Sequence, residues 1–299
     1  MSNSDQIQRF MFEQHDIRGE LVGLDEAYQT VLSKQDYSEA VRTLIGEWMA
    51  AASLLSEILK FEGSVILQAR GAAGIGILMA ECTHEQKIRA IAQVNGEVNS
   101  TNIPELFGNG HLVITISPKK GSRYQGIVPM DSNSLAECLE HYFKQSEQLP
   151  TRIWLEADGK SAAGLFLQKL PTAQDASDED KEASDNQWDH AVALAETIKA
   201  DELLNLDNET ILHRLYHEDD IRLFDNQDIE FHCTCSKERT AESIKTVGKD
   251  ELLDILKEEP QITVTCQFCN ETYKFDKIDV MAMFEGTQLA SEEQDNSKH

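Results

Sequence analysis

The sequence predicts an α+β protein with an N-terminal mixed α/β core domain, a helical acidic linker and a small C-terminal domain built on cysteines. Three observations carry this. A long amphipathic helix pattern sits among strand-like runs in the first 171 residues. An acid-rich stretch begins abruptly at Pro171. Four of the six cysteines fall in two close pairs near the C-terminus. At 299 residues the chain has room for about two domains of roughly 150 residues each.

Residues 38–60 carry the clearest helix. Val41, Leu44, Ile45, Trp48, Met49, Ala52, Leu55 and Leu59 recur at helical spacing, and Ser38 with Glu39 marks a start. Strand-like runs follow at 64–70, 75–82, 87–94, 111–117 and 124–129, with turn signals at Asn95-Gly96 and Asn109-Gly110. A second helix fits 134–145, with Leu135, Cys138, Leu139, Tyr142 and Phe143 on one face. Runs at 152–156 and 163–170 close a core domain of residues 1–171.

Residues 172–228 read as the acidic linker. Between Pro171 and His190 lie seven acids (Asp175, Asp178, Glu179, Asp180, Glu182, Asp185, Asp189) against one base, Lys181. That composition predicts a solvated segment. Short amphipathic pieces follow at 188–198, 202–206 and 209–216. Helices this short are marginal alone and need a surface to dock on.

Residues 229–285 form the cysteine domain. Helices are expected at 236–247 and 249–259, a hairpin at 262–266 and 271–275, and a last helix at 277–285. The polar tail, 286–299, is expected to be disordered. About 55 residues bury too little surface to fold securely unaided.

The charge narrows the partners. There are 27 Lys+Arg against 53 Asp+Glu, a net charge of −26. Binders of nucleic acid work through Lys and Arg that displace counterions, so neither nucleic acid nor an anionic membrane is expected as a partner. The N-terminus, MSNSDQIQRFMF, has no cationic region followed by a long apolar run, and does not read as a secretory signal. The longest apolar stretch, 48–55, is interrupted by Ser53 and too short to span a bilayer. Clustered free cysteines without a signal point to the reducing cytosol.

The cysteines carry the chemistry. They stand as Cys233-Thr-Cys235 and Cys266-Gln-Phe-Cys269, with thirty residues between the pairs. Four thiolates in two close pairs match a tetrahedral Zn²⁺, which makes this a four-cysteine zinc domain with one ion per chain. Two sulfurs as close as those of Cys-x-Cys also oxidise to a disulfide with little backbone movement, so the motif suits a redox switch as well as a metal site. Cys266 and Cys269 have the spacing of a thioredoxin-like dithiol, but that chemistry needs a helix N-terminus behind the first cysteine, and strand-like runs flank this pair. Cys82 and Cys138 lie in apolar stretches and read as buried core thiols.

Other candidates fail on spacing. Gly159-Lys160-Ser161 resembles the end of a P-loop, but Trp154 stands where the upstream glycine belongs. Gly74-Ile75-Gly76 begins a dinucleotide fingerprint, but Met79 stands at the third glycine. Both read as turns, and no ATP consumption is expected. His213 and His217 are four apart on an expected helix and read as an exposed pair rather than metal ligands.

These segments together resemble the redox-regulated heat-shock chaperones of bacteria, the 33 kDa chaperonin family. The resemblance rests on LFGNGHLVITISPKKGSRYQGIVPM and YFKQSEQLPTRIWL in the core, and on DIEFHCTCSKER followed by CQFCNETYKF near the C-terminus. The acidic insert at 173–187 is the part least like the family. The resemblance implies a cytoplasmic, non-enzymatic, ATP-independent holdase that binds unfolding proteins under oxidative stress. Carried over residue by residue, Cys233, Cys235, Cys266 and Cys269 are the zinc ligands of the reduced, inactive state. On oxidation zinc is released, and the implied disulfides join Cys233 to Cys235 and Cys266 to Cys269. The linker then unfolds, and the core domain serves client binding and dimerisation. Unfolded or partly folded clients and a second copy of the chain are the implied partners.

The residues support a switch of this kind. Structural zinc contributes on the order of 10–16 kcal/mol in small domains, more than a domain this size holds in reserve. Two other readings compete: a thiol–disulfide oxidoreductase using Cys266 and Cys269, and a zinc-ribbon interaction module with no redox role.

Overall fold

The computed structural model describes residues 5–58, 62–171 and 177–285. Leu59 and Lys60 of the expected helix, Asp175 of the acidic run and the tail 286–299 lie outside the described residues. The chain divides into two compact units, Met1–His232 and Cys233–His299.

The first unit opens with β1 (Gln6–Phe12), β2 (Ile17–Leu24), α1 (Glu26–Leu32) and α2 (Glu39–Ile58). Then come β3 (Gly63–Arg70), β4 (Ile75–Thr83), β5 (Lys87–Val94), α3 (Ile103–Phe107), β6 (His111–Pro118), β7 (Tyr124–Pro129), α4 (Leu135–Tyr142), β8 (Thr151–Ala157) and β9 (Ala162–Lys169). The acidic region supplies α5 (Asp178–Ala195), α6 (Ala200–Asn205) and α7 (Asn208–Tyr216), then three short strands, β10 (Ile221–Leu223), β11 (Gln227–Asp228) and β12 (Glu230–Phe231).

These strands form two sheets. One runs β10-β1-β2-β9-β8, with β11 also on β1. The other runs β12-β5-β4-β3-β6-β7, and only its β12–β5 pair is parallel. Between them lies α2, against β2, β8 and β9 on one side and β3, β4 and β5 on the other. Its composition explains the position. Leu44, Ile45, Trp48 and Met49 are buried, and so are Ala50, Ala51 and Ala52 behind them. A helix apolar on nearly every side has to be enclosed. Gly46 permits the close approach, since a Cβ there would stand 2.6 Å from that of Ala157.

The strand expectations from 64 to 170 agree with the structure to within one or two residues at each end. Other elements differ. Ser38 does not cap α2 through its side chain; its hydroxyl donates to the Val98 carbonyl at 2.8 Å. The helix expected over 134–145 ends at Tyr142 and continues as a π-helical turn, Phe143–Glu147. The run from 178 to 190, expected to be a solvated part of the acidic linker, is the first part of an 18-residue helix. Ser177 accepts from the Asp180 N–H while Asp180 accepts from the Ser177 N–H, closing a capping box, and three acids in the first turn face the positive end of the helix dipole. The acids remain exposed, as the composition predicts, and the helix that carries them starts at a cap the composition does not report.

Helices α5–α7 are docked on the outer face of the β10-β1-β2-β9-β8 sheet. Phe10, Phe12, Leu21, Leu165 and Leu167 of the sheet meet Ala191, Leu203, Ile211, Leu212, Leu215 and Tyr216. Tyr216 sits edge-on to Phe12 with ring centres 4.9 Å apart, and its hydroxyl donates to the Ala191 carbonyl at 3.1 Å. Short helices thus acquire the surface they lack alone.

The second unit contains α8 (Lys237–Ile244), a 3₁₀ turn (Lys245–Val247), α9 (Lys249–Glu258), β13 (Ile262–Thr265), β14 (Thr272–Phe275) and α10 (Lys277–Glu285). The main apolar cluster of this unit is small: Ala241, Phe275 and Met283 are buried, with Ile244, Ile262, Val264 and Tyr273 against them. No helix among the described residues is long and apolar enough to cross a membrane.

Candidate metal centre

Two short turns present the four cysteines. The β13–β14 hairpin carries the second pair: Cys266 N–H donates to the Glu271 carbonyl at 2.8 Å, and Asn270 N–H returns to the Cys266 carbonyl at 2.9 Å. Asn270 takes the left-handed backbone this tight turn demands, at φ 64°. The first pair precedes α8. Ser236 caps that helix by accepting from the Arg239 N–H at 3.2 Å, and the Arg239 guanidinium donates to the Thr234 carbonyl at 2.8 Å, between the two sulfurs' residues.

The four sulfurs converge. Cys233 Sγ lies 3.7 Å from Cys266 Sγ, Cys235 Sγ lies 3.3 Å from Cys269 Sγ, and all four fall within 4.8 Å of one another. A tetrahedron with metal–sulfur bonds of ~2.3 Å has edges of about 3.8 Å, so the donor set fits a Zn²⁺-sized ion. All four residues are half-buried.

The electrostatics point the same way. Burial pushes the Cys235 and Cys269 thiols up. At Cys233 burial is outweighed by the backbone N–H of Cys235 and by hydrogen bonds from the neighbouring cysteines, which hold that thiol below its usual value. Crowded thiols cannot all ionise against one another without a counter-charge, and a divalent cation provides one.

Three further contributions come from residues that the motif spacing did not single out. The Tyr273 hydroxyl donates to Cys235 Sγ at 3.2 Å. Lys237 and Asp279 form a nearly buried ion pair at 3.3 Å that ties α8 to α10, with the Lys237 ammonium 5.8 Å from the centre of the Phe275 ring. Arg239 steadies the first turn. Tyr273 alternates with Phe275 on β14, a pattern that marks a strand but not a thiolate partner.

The remaining candidates stay apart. His213 on α7 and His217 at its C-terminal cap stack at 5.9 Å; among the described residues the group of three or more ligating side chains is the cysteine set. Cys82 and Cys138 are buried, and burial pushes the Cys82 thiol up to about 12. Gly159-Lys160-Ser161 is the β8–β9 turn, where Asp158 accepts from the N–H groups of Lys160 and Ser161. Among the described residues no helix N-terminus lies behind Cys266, the feature a thioredoxin-like dithiol requires at its first cysteine.

A family model described as "Hsp33 protein" matches residues 5–276. Curated relatives described as "33 kDa chaperonin" include one from Pseudomonas paraeruginosa, 49% identical over 289 residues and covering 96% of each chain. Another, from Ectopseudomonas mendocina, is 45% identical and covers 99% of this chain and 100% of its own. The crystal structure of a 33 kDa chaperonin (heat shock protein 33 homolog) from Thermotoga maritima superimposes with a TM-score of 0.80 at 20% identity, covering 94% of this chain and 98% of that one, and so shares its fold.

Proposed function

The chain belongs to the Hsp33 family of chaperones, and from that premise we propose that it is a redox-regulated, ATP-independent holdase whose switch is the four-cysteine centre. The observation that supports the reading is the convergence of four sulfurs in a unit whose buried apolar side chains, among the described residues, are Ala241, Leu252, Phe275, Val280 and Met283. Such a unit depends on its thiolates to stay folded.

Cys233, Cys235, Cys266 and Cys269 would hold one zinc ion. Bound there, zinc supplies a cross-link between the two turns and the counter-charge for the thiolates. Tyr273 stabilises the Cys235 thiolate by hydrogen bonding, and Arg239 and the Lys237–Asp279 pair hold the turns in place. Oxidation of each thiolate pair to a disulfide removes two electrons, which one peroxide accepts together with two protons from solvent to give two waters. The ligands are then consumed and the unit unfolds.

The loss passes along the chain. β12 ends at Phe231, two residues before Cys233, and β10–β12 are held by only a few ladder positions. Helices α5–α7 precede them and cover an apolar sheet face. Their release exposes that face and their own leucines to unfolding clients, while the surrounding acids keep the complex in solution. Oxidised protein then pairs with a second copy.

We assign the disulfides as Cys233 with Cys235 and Cys266 with Cys269. Partners two and three residues apart remain neighbours in an unfolded unit, where short loops close at low entropic cost. In the folded unit Cys233 also lies 3.7 Å from Cys266 and Cys235 3.3 Å from Cys269, so peptide mapping of oxidised protein separates the two pairings.

The direct test is light scattering from a denatured client without ATP. Reduced, zinc-loaded protein should give little protection and peroxide-oxidised protein full protection. Equal protection by both forms would sink the switch. Turnover of a disulfide substrate at catalytic protein levels would replace it with an oxidoreductase.

A further inference from the structure

A cavity of about 400 Å³ opens between the two sheets of the first unit, at the C-terminal end of α2. It lies on the inner side of the sheet whose outer face α5–α7 cover. Its volume is within the range of sites that take one small guest.

Most of the buried lining is apolar, with Leu55 from α2, Val65 from β3, Ile114 from β6 and Phe143 from the π-helical turn, and Gln168 is its buried polar member. An apolar cavity of this size favours an apolar guest over water. The rest of the lining mixes Ile58, Ile116 and Leu149 with polar side chains and carries two opposite charges. Arg18 from β2 directs Nε and Nη2 to the Gln168 side-chain oxygen, at 3.1 and 2.6 Å, which leaves Nη1 for another acceptor. Glu147 is exposed and accepts from the Tyr142 hydroxyl at 3.3 Å. Tyr142, Phe143 and Glu147 all come from the stretch where α4 widens into a π-helical turn, a distortion that tends to accompany function.

The charge pattern selects the guest. A singly charged amphiphile, of either sign, would set its head against one of the two charged groups. A peptide satisfies both, because each amide carries an acceptor for Arg18 and a donor for Glu147. We infer that this cavity receives one large apolar side chain, leucine or phenylalanine, from an unfolded polypeptide whose flanking amides are held by Arg18 and Glu147. The inference rests on the chaperone reading and adds to it a preformed site on the core, separate from the face that α5–α7 cover.

The test is a titration of full-length reduced protein, labelled at Ile, Leu and Val methyls, followed by NMR. The probes are acetyl-Gly-Leu-Gly-amide, acetyl-Gly-Lys-Gly-amide and dodecanoate. The leucine peptide should give saturable shifts at Leu55, Val65, Ile114 and Ile116, with the lysine peptide at least tenfold weaker. Val65→Phe fills the cavity and should abolish the saturable shifts; Ile116→Phe does so from a less buried wall if the first variant fails to fold. Arg18→Gln and Glu147→Gln should each weaken the leucine peptide severalfold. Shifts scattered over the surface, equal binding of both peptides, or saturable binding of dodecanoate alone would overturn the inference. The aggregation assay keeps the two proposals distinct. Redox-dependent protection without peptide binding removes the cavity site and leaves the switch, and peptide binding without redox-dependent protection does the reverse.

Discussion

The Tyr273 hydroxyl reaches Cys235 Sγ at 3.2 Å and links the β14 strand to the cysteine pair that precedes α8. A donor to a ligating thiolate orients it and disperses its charge, and loss of such a partner typically weakens metal binding 10–100-fold. Tyr273→Phe keeps the ring packing and removes only the hydroxyl. Zinc affinity, measured by competition with a chromogenic chelator, should fall by about tenfold or more. An unchanged affinity would show that the bond contributes nothing.

Removal of metal from reduced protein should separate the two units. Amides of α8–α10 should lose hydrogen-exchange protection, while those of α2 and β9 keep it, because α2 and β9 lie in a large core of their own. Parallel loss of protection in both units would contradict the division at Cys233.

Leu203 is 4% exposed beneath α6, whereas Leu204 and Leu206 are only partly buried against the same cluster. Truncating a buried leucine costs about 2–5 kcal/mol. Leu203→Ser should therefore loosen the docked helices more than Leu204→Ser or Leu206→Ser. The expected readout in reduced protein is faster proteolysis within 178–216 and stronger binding of a hydrophobic dye, in the order Leu203 first.

Glu20 is fully buried on β2, and neither carboxyl oxygen has a hydrogen-bond partner. Burial pushes its carboxyl up to about 8, against the pull of Arg18. The unfolded chain ionises this group first, so between about pH 4.5 and 8 the folded state holds the extra proton and stability falls as pH rises. The slope from this residue is about 1.4 kcal/mol per pH unit, on the order of 3 kcal/mol by pH 7. Glu20→Gln should remove that slope. Thermal melts at pH 5.5 and 7.5 should differ less in the variant than in the parent, and an equal difference would count against the assignment.

Much of this was legible in the residues, for identifiable reasons. Alternation along β3–β7 exposes one face and buries the other, and α2 repeats its apolar positions at helical spacing. Those signals are local. β2 escaped because Gly19 and Glu20 interrupt its apolar run: Gly19 lies beneath the Phe10 ring, and Glu20 is a carboxyl inside the core. β10–β12 span two or three residues each and exist only through pairing with β1 and β5. Composition along α5 reports solvation and leaves the backbone open, whereas the capping box at Ser177 marks where the helix starts. At the candidate metal centre the four converging cysteines were readable from spacing. Tyr273, Arg239 and the Lys237–Asp279 pair were not, since each acts through a contact that forms only after the turns fold.

The pairing of β1 with β10 and β11 has a consequence for synthesis. Gln6 meets Asp228 across 222 positions of chain. At ribosomal speeds of ~5–20 residues per second, the outer edge of β1 waits roughly ten to forty seconds before its partners are made. The β1–β2 hairpin closes early, so throughout that interval the nascent polypeptide displays a bare strand edge next to Phe10 and Phe12. A message broken anywhere before codon 221 yields a product whose edge is never covered. A member of a chaperone family thus passes through an unfinished state itself on every round of translation.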